Sequence, residues 1–362
     1  MGSPQVIDYE RFRSSANAVT LYEMFKADLL RRSSDGESTD FGDLMPKEKQ
    51  DASMIKHYFY MSVLYSFEAY ERQVYRLGNN LAHMFMRTKL PKLSLDDVKP
   101  PYSCFYMSLP QEMNLEVDSF GQHLRAHGCY VFDSRDPENP MGIKLIKKDG
   151  DVLLNEINFV NAFHGRDSPG LDNDLIQIFS LSPGEKDLEN YIKQLEDRDF
   201  PPDFVKVYQQ IARVALNLVF YLNSSNREIG AVIRPDQKRV AELEKALRNT
   251  REGRTRIVNK LTQKLDKAKN QVIITKLAPS LEKRLSIGSP SSTPTGRTVR
   301  KHWVPGFYNY YWCNNKDEHG NKLSGKHVES RWIEPYERGT DVGKVVRKHY
   351  EVQDINLDKD AD

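Results

Sequence analysis

Glu156, His164, Asp167, Asp172 and Asp174 lie close together in the chain and carry the side chains with which proteins hold a divalent metal and activate water. A metal-dependent RNase would need such a set, so Glu156, His164, Asp172 and Asp174 are the catalytic candidates. Acidic residues are also the ordinary content of a polar loop between strands, and the spacing here matches no nuclease pattern. His302, Cys313, His319 and His327 could ligate zinc but lack the close paired spacing of structural zinc sites. No phosphate-binding glycine loop, dinucleotide fingerprint or nucleophile elbow is present. The expectation is a non-catalytic protein with no metal and no cofactor, the RNase being the alternative.

Binding chemistry is denser toward the C-terminus. Arg300, Lys301, His302, Trp303, Phe307, Tyr308, Tyr310, Tyr311 and Trp312 are followed by Arg331, Trp332 and Tyr336, so rings and basic groups interleave along two β-prone runs. Single-stranded nucleic-acid readers combine stacking rings and phosphate-binding charge in this way. The rings could equally close a small hairpin core. On the first reading the contact residues are Arg300, His302, Trp303, Trp312, Arg331 and Trp332.

A second candidate is the run 238–269, with eleven Lys and Arg against four acids, a local excess of seven on a chain whose formal net charge is only +2. It is rich in helix formers and is interrupted at Gly253, which reads as a basic helical hairpin. Such a run is either a solvated helix face or a contact for ribosome or RNA, through Arg248, Arg251, Arg254 and Arg256.

The elements that position these residues follow from periodicity. Three- to four-residue apolar spacing predicts a helix over 8–32 and, over 51–87, one long helix or two broken at Gly78, Asn79 and Asn80. Short β-prone runs at 102–109, 114–117, 129–133, 142–147, 152–160 and 175–181 predict an antiparallel meander, with a polar loop over 161–174. Pro201 and Pro202 open a strongly apolar helix over 204–222, the candidate core helix. A short strand over 272–277 and a helix over 279–285 follow.

The fold class is therefore α+β, an antiparallel meander packed by helices. The main domain covers 1–285, with N-terminal helices in 8–90, the meander in 100–182 and helices in 184–285. Ser, Pro, Thr and Gly make 286–298 a linker. An aromatic and basic β module takes 299–340, and 341–362 is a flexible tail.

No apolar run approaches the ~20 residues of a membrane-spanning helix, and the first residues carry no basic and apolar leader pattern. Three widely spaced cysteines, an odd number, fit a reducing compartment better than a disulfide framework. The expected location is the cytoplasm, with no membrane partner.

The strings RKHWVPGFYNYYW (300–312) and SRWIEPYERG (330–339) resemble the C-terminal signature of a type V-A anti-CRISPR family that blocks biogenesis of the effector nuclease. His302, Gly306, Trp312, Trp332 and Pro335 match it in order, and Phe307 stands where the family has a second His. LYSFEAY (64–70), YSCFYMSLP (102–110), IFSLSPGE (178–185) and ITKLAPSLEKR (274–284) resemble family segments in the same order. The resemblance implies a protein of phage, plasmid or other mobile-element origin. It would recognise the nascent N-terminal peptide of a target, such as a CRISPR effector nuclease, and promote loss of its mRNA, with the ribosome or the mRNA as second partner.

Overall fold

In the computed structural model the described residues are 9, 12–13, 15–35, 52–91, 98–119, 122–136, 144–147, 150–153, 156–165, 175–181, 188, 192, 202–250, 255–269, 271–281, 302–316 and 322–338. The expected linker at 286–298, the tail at 341–362 and the candidates Asp172, Asp174, Arg251, Arg254 and Arg300 lie outside them.

Helices α1 (Ala16–Asp35) and α2 (Ala52–Ala69) come first, then strand β1 (Gln73–Arg76) and helix α3 (Asn79–Arg87). Strands β2 (Cys104–Ser108), β3 (Glu116–Ser119), β4 (Gln122–Ala126), β5 (Gly128–Asp133), β6 (Lys144–Lys147), β7 (Gly150–Leu153), β8 (Ile157–Gly165) and β9 (Leu175–Leu181) follow. The long helix α4 (Pro202–Leu222), strand β10 (Ile229–Ile233), helices α5 (Gln237–Arg248) and α6 (Thr255–Lys269), and strand β11 (Ile273–Leu277) come next. The last elements are β12 (His302–Val304), β13 (Phe307–Lys316), β14 (Lys322–Ile333) and β15 (Tyr336–Arg338).

One sheet organises the molecule, in the order β10-β11-β1-β2-β5-β8-β4-β3 with β9 also paired to β8. The expected antiparallel strands are there as β2, β5, β8 and β9. Beyond β2 the sheet becomes mixed, because β1 runs parallel to both β2 and β11.

Strand β1 corrects the helical expectation over 51–87. Helix α2 ends where Glu71 and Arg72 take left-handed φ of 58° and 55°, and the Arg72 amide donates back to the Phe67 carbonyl at 2.8 Å. Val74 and Tyr75 then continue the chain in strand β1. Two further strands, β4 and β10, were absent from the sequence reading, and β8 runs on to Gly165, so His164 sits in a strand and not in a loop.

The sheet is buried on both faces because its central strands carry apolar side chains in both directions, with Asp133 of β5 and Asn158, Asn161 and His164 of β8 buried among them. Phe105 and Met107 of β2 join Val131 of β5 and Phe159 of β8 under α3 and α4. Cys104 and Tyr106, with Tyr130, Phe132 and Val160, face the opposite way against Phe59, Val63, Leu64 and Phe67 of α2 and Tyr22 and Phe25 of α1. The result is three layers, helix, sheet and helix. Helix α4 has Val214, Ala215, Leu216, Leu218 and Val219 fully buried, as expected of the core helix.

Beneath α1 and α2 a polar knot replaces apolar packing. The Tyr9 and Tyr22 hydroxyls donate to the Glu68 carboxylate at 2.7 and 3.0 Å, Lys26 approaches it at 3.4 Å, and Arg72 at 3.8 Å. Burial works against the ionised carboxyl, but these hydrogen bonds and cations outweigh it and hold Glu68 below the ordinary glutamate value.

Candidate peptide and nucleic-acid interface

Strands β13 and β14 form a long antiparallel hairpin in which Tyr308 faces Trp332, Asn309 faces Arg331, Tyr310 faces Ser330 and Tyr311 faces Glu329. At about 3.4 Å per residue, β13 alone spans about 30 Å.

The root of this hairpin belongs to the main core. Trp332 is 3% exposed and makes edge contacts with Phe85 and Tyr221 at centroid distances of 5.5 and 5.3 Å. Tyr308 packs on Phe220 and donates its hydroxyl to the Asn217 carbonyl at 2.7 Å. Burial pushes the Tyr308 phenol well above its ordinary value, so it stays a neutral donor. The hairpin of β13 and β14 is thus packed into the main core at its root, and of the two readings of the rings the core reading holds for Trp332 and Tyr308. Trp332 is a core residue and not a surface platform.

Polar groups from three distant parts of the chain pin the root. Asn217, buried in the middle of α4, donates to the carbonyls of Phe85 and Thr88 at 2.9 and 3.2 Å, which satisfies the end of α3. The Thr88 hydroxyl donates to the Met84 carbonyl at 2.9 Å and receives the Trp332 indole N–H at 3.4 Å. Asn226 pairs with the Trp332 backbone in both directions at 2.9 Å, mimicking a strand neighbour. Gly306 fits here because a Cβ at that position would lie 2.5 Å from the Thr88 hydroxyl, and its carbonyl accepts the Lys89 amide at 3.0 Å.

From Tyr310 and Ser330 outward the character changes. Tyr310 and Tyr311 are 38% and 43% exposed, the Asn309 amide donates to the Tyr311 hydroxyl at 3.1 Å, and Arg331 is exposed across from Asn309. Tyr311 and Arg331 share the Asn309 face of the hairpin and Tyr310 lies on the opposite face, so the outer half offers a ring with a cation on its own face on one side and a second exposed ring on the other. Tyr310 and Tyr311 were part of the aromatic run in the sequence but were not singled out. Trp312 lies on β13 opposite Val328; on β12, His302 and Trp303 lie opposite Arg338 and Glu337.

The basic run forms two packed helices. Asp236 caps α5 by accepting the Arg239 amide at 3.0 Å, and Leu243, Leu265 and Ala268 form a small core between α5 and α6. Lys269 pairs with Glu244 at 2.7 Å, and the hydrogen bond and charge of that lysine hold the Glu244 carboxyl below its ordinary value. Arg72 donates to the Lys269 carbonyl at 3.3 Å, which ties the end of α6 to the knot around Glu68. Lys238, Arg239, Lys245, Arg248, Lys260 and Lys264 are exposed. Arg256 opens α6.

The carboxylate and imidazole candidates are partly separated from any loop. His164 is 3% exposed on β8 opposite Arg125, its ring stacked on His127 at 5.7 Å, and Glu156 precedes that strand. Cys313 and His327 are cross-strand partners in the hairpin. Among the described residues no group of three or more His, Cys, Asp or Glu could hold a metal ion. No described helix is long and apolar enough to cross a membrane.

Comparison with known proteins places this geometry in a family. No curated protein matches the chain. Among solved structures it is similar to one described as the crystal structure of AcrVA2, at 14% identity and a TM-score of 0.43, covering 90% of this chain and 96% of that one. The model of the AcrVA2-like family, described as the anti-CRISPR type V subtype A2 family, matches residues 75–336, from β1 through the core helix and the hairpin to β15. The match spans most of the sheet and the whole hairpin, and the chain belongs to the AcrVA2-like, type V subtype A2 anti-CRISPR family.

Proposed function

We propose that this protein is an anti-CRISPR inhibitor that works by binding, in the cytoplasm of a host cell: it recognises the nascent N-terminal peptide of a CRISPR effector nuclease and promotes loss of the message encoding it. The observation that carries the reading is the hairpin of β13 and β14. It holds Tyr310, Tyr311 and Arg331 in solvent while Tyr308 and Trp332 fix its root in the core. Anchored rings lose little freedom when a peptide or a base stacks on them. The exposed cations of α5 and α6 supply a second contact, for ribosomal or messenger RNA.

Family membership over residues 75–336 supports an anti-CRISPR role, and the hairpin lies within the matched region. The test is effector protein and effector mRNA measured in cells carrying the wild type or the triple variant Tyr310→Ala, Tyr311→Ala, Arg331→Ala. Repression is expected to disappear while the variant accumulates at normal levels. Full repression by a folded triple variant contradicts the reading. The alternative, a metal-dependent RNase, calls for RNA cleavage by the purified protein with Mg²⁺ or Mn²⁺, abolished by Asp172→Ala with Asp174→Ala.

A further inference from the structure

The end of the large sheet formed by β10 is unusually open for a strand. Ile229, Val232 and Ile233 are 49%, 43% and 40% exposed, and only Gly230 of the five residues is half-covered. One edge of β10 pairs with β11; the other has no strand beside it among the described residues.

The strand is nonetheless firmly held. The Glu228 carbonyl accepts the Ala278 amide at 3.0 Å and its amide donates to the Tyr221 hydroxyl at 2.7 Å. The Glu228 carboxylate accepts the Ser280 amide at 3.1 Å and also the Ser280 hydroxyl. Gly230 lets Pro279 approach, since a Cβ there would lie 3.0 Å from that ring. An apolar sheet edge with no strand beside it among the described residues is a template for another strand.

We propose that β10 pairs antiparallel with β10 of a second copy of this chain, joining the two sheets across a two-fold axis. The charges at its ends select this occupant. Glu228 precedes the strand and the exposed Arg234 follows it, so a two-fold antiparallel pairing brings the Glu228 end of each copy to the Arg234 end of the other. A parallel pairing would instead set like charges side by side. The strand is also self-limiting: Pro235, without an N–H, ends the ladder, and Asp236 at once caps α5. An isologous contact of this kind uses up the edge of both partners and closes as a dimer instead of growing into a fibre.

The experiment is sedimentation velocity on the full chain over about 1 to 100 µM, the range in which an interface of this small size associates. The expected result is a concentration-dependent shift from monomer to dimer. Ile233→Lys should abolish it with no change in the thermal midpoint. Arg234→Glu, at an exposed site, should weaken it on the order of tenfold by opposing Glu228 at both symmetric contacts. Hydrogen exchange of the β10 amides should slow as concentration rises. A monomer throughout that range overturns the proposal, even if it captures an extended apolar peptide. So does a dimer that survives both substitutions with unchanged exchange in β10.

Discussion

The hydroxyl of Tyr308 donates to the backbone carbonyl of Asn217 at 2.7 Å, a bond between residues 91 apart that seats the C-terminal hairpin on the core helix α4. With Trp332 sealed between Phe85 and Tyr221, it makes the hairpin a structural part of the main body whose outer half is left for contact.

Removing that seal should destabilise the whole protein. Trp332→Ala is expected to cost about 3–5 kcal/mol, the range for truncating a fully buried large aromatic. A chain ending at Thr298 should aggregate or melt far below the intact one, since it exposes Phe85, Tyr221 and Phe220 together. Urea denaturation followed by far-UV circular dichroism measures both. A truncated chain with native stability would show the root to be superficial.

Helix α4 supplies an independent check of the core. Leu216 is fully buried within it, and Leu216→Ala should cost about 2–5 kcal/mol by equilibrium unfolding. A loss well under 1 kcal/mol would mean that this face is not packed as described.

How far the sequence disclosed this arrangement differs by element. Helix α4 was legible because a long apolar run opened by prolines has one ordinary meaning, and β2 and β5 because apolar runs between turn residues do too. Strand β1 was hidden: the helix before it is ended by Glu71 and Arg72 in left-handed conformations, not by glycine, and four residues carry too little periodicity to register. The rings of the hairpin were visible but not their sorting, since alternation along a strand is the same whether Trp332 faces Phe85 or solvent. Thr88 and Asn217, the polar residues that seat the hairpin, are remote in sequence. The one available hint was an asparagine inside the apolar stretch of α4.

Acid should find the knot around Glu68. Its carboxyl is held below the ordinary value, so its contribution is complete above the unfolded-state pKa and disappears as pH falls through the lower folded-state pKa. Glu68→Gln should therefore cost about 1.5–3 kcal/mol at neutral pH, the worth of hydrogen bonds to a charged acceptor. It should also flatten the acid limb of a stability-against-pH curve. An unchanged acid limb would show that Glu68 is not held ionised by Tyr9, Tyr22, Lys26 and Arg72.

On α5 and α6, reversing Arg248, Arg251, Arg254 and Arg256 to Glu should abolish salt-sensitive retention on RNA without unfolding the helix pair, whose contacts run through Leu243, Leu265 and Ala268. Retention measured across a salt series reads this directly. Equal retention by the reversed protein at low salt removes the RNA role of this surface.

The central claim, that the target is recognised through its nascent peptide, is tested most directly by mRNA half-life for three reporters in cells expressing this protein. One carries the effector's native N-terminal coding segment, a second the same peptide in synonymous codons, and a third nearly the same nucleotides in a shifted reading frame. Destabilisation of the first two messages and sparing of the third is the predicted result. Loss of the frame-shifted message together with survival of the synonymous one would contradict it, because recognition would then follow the nucleotides and not the peptide.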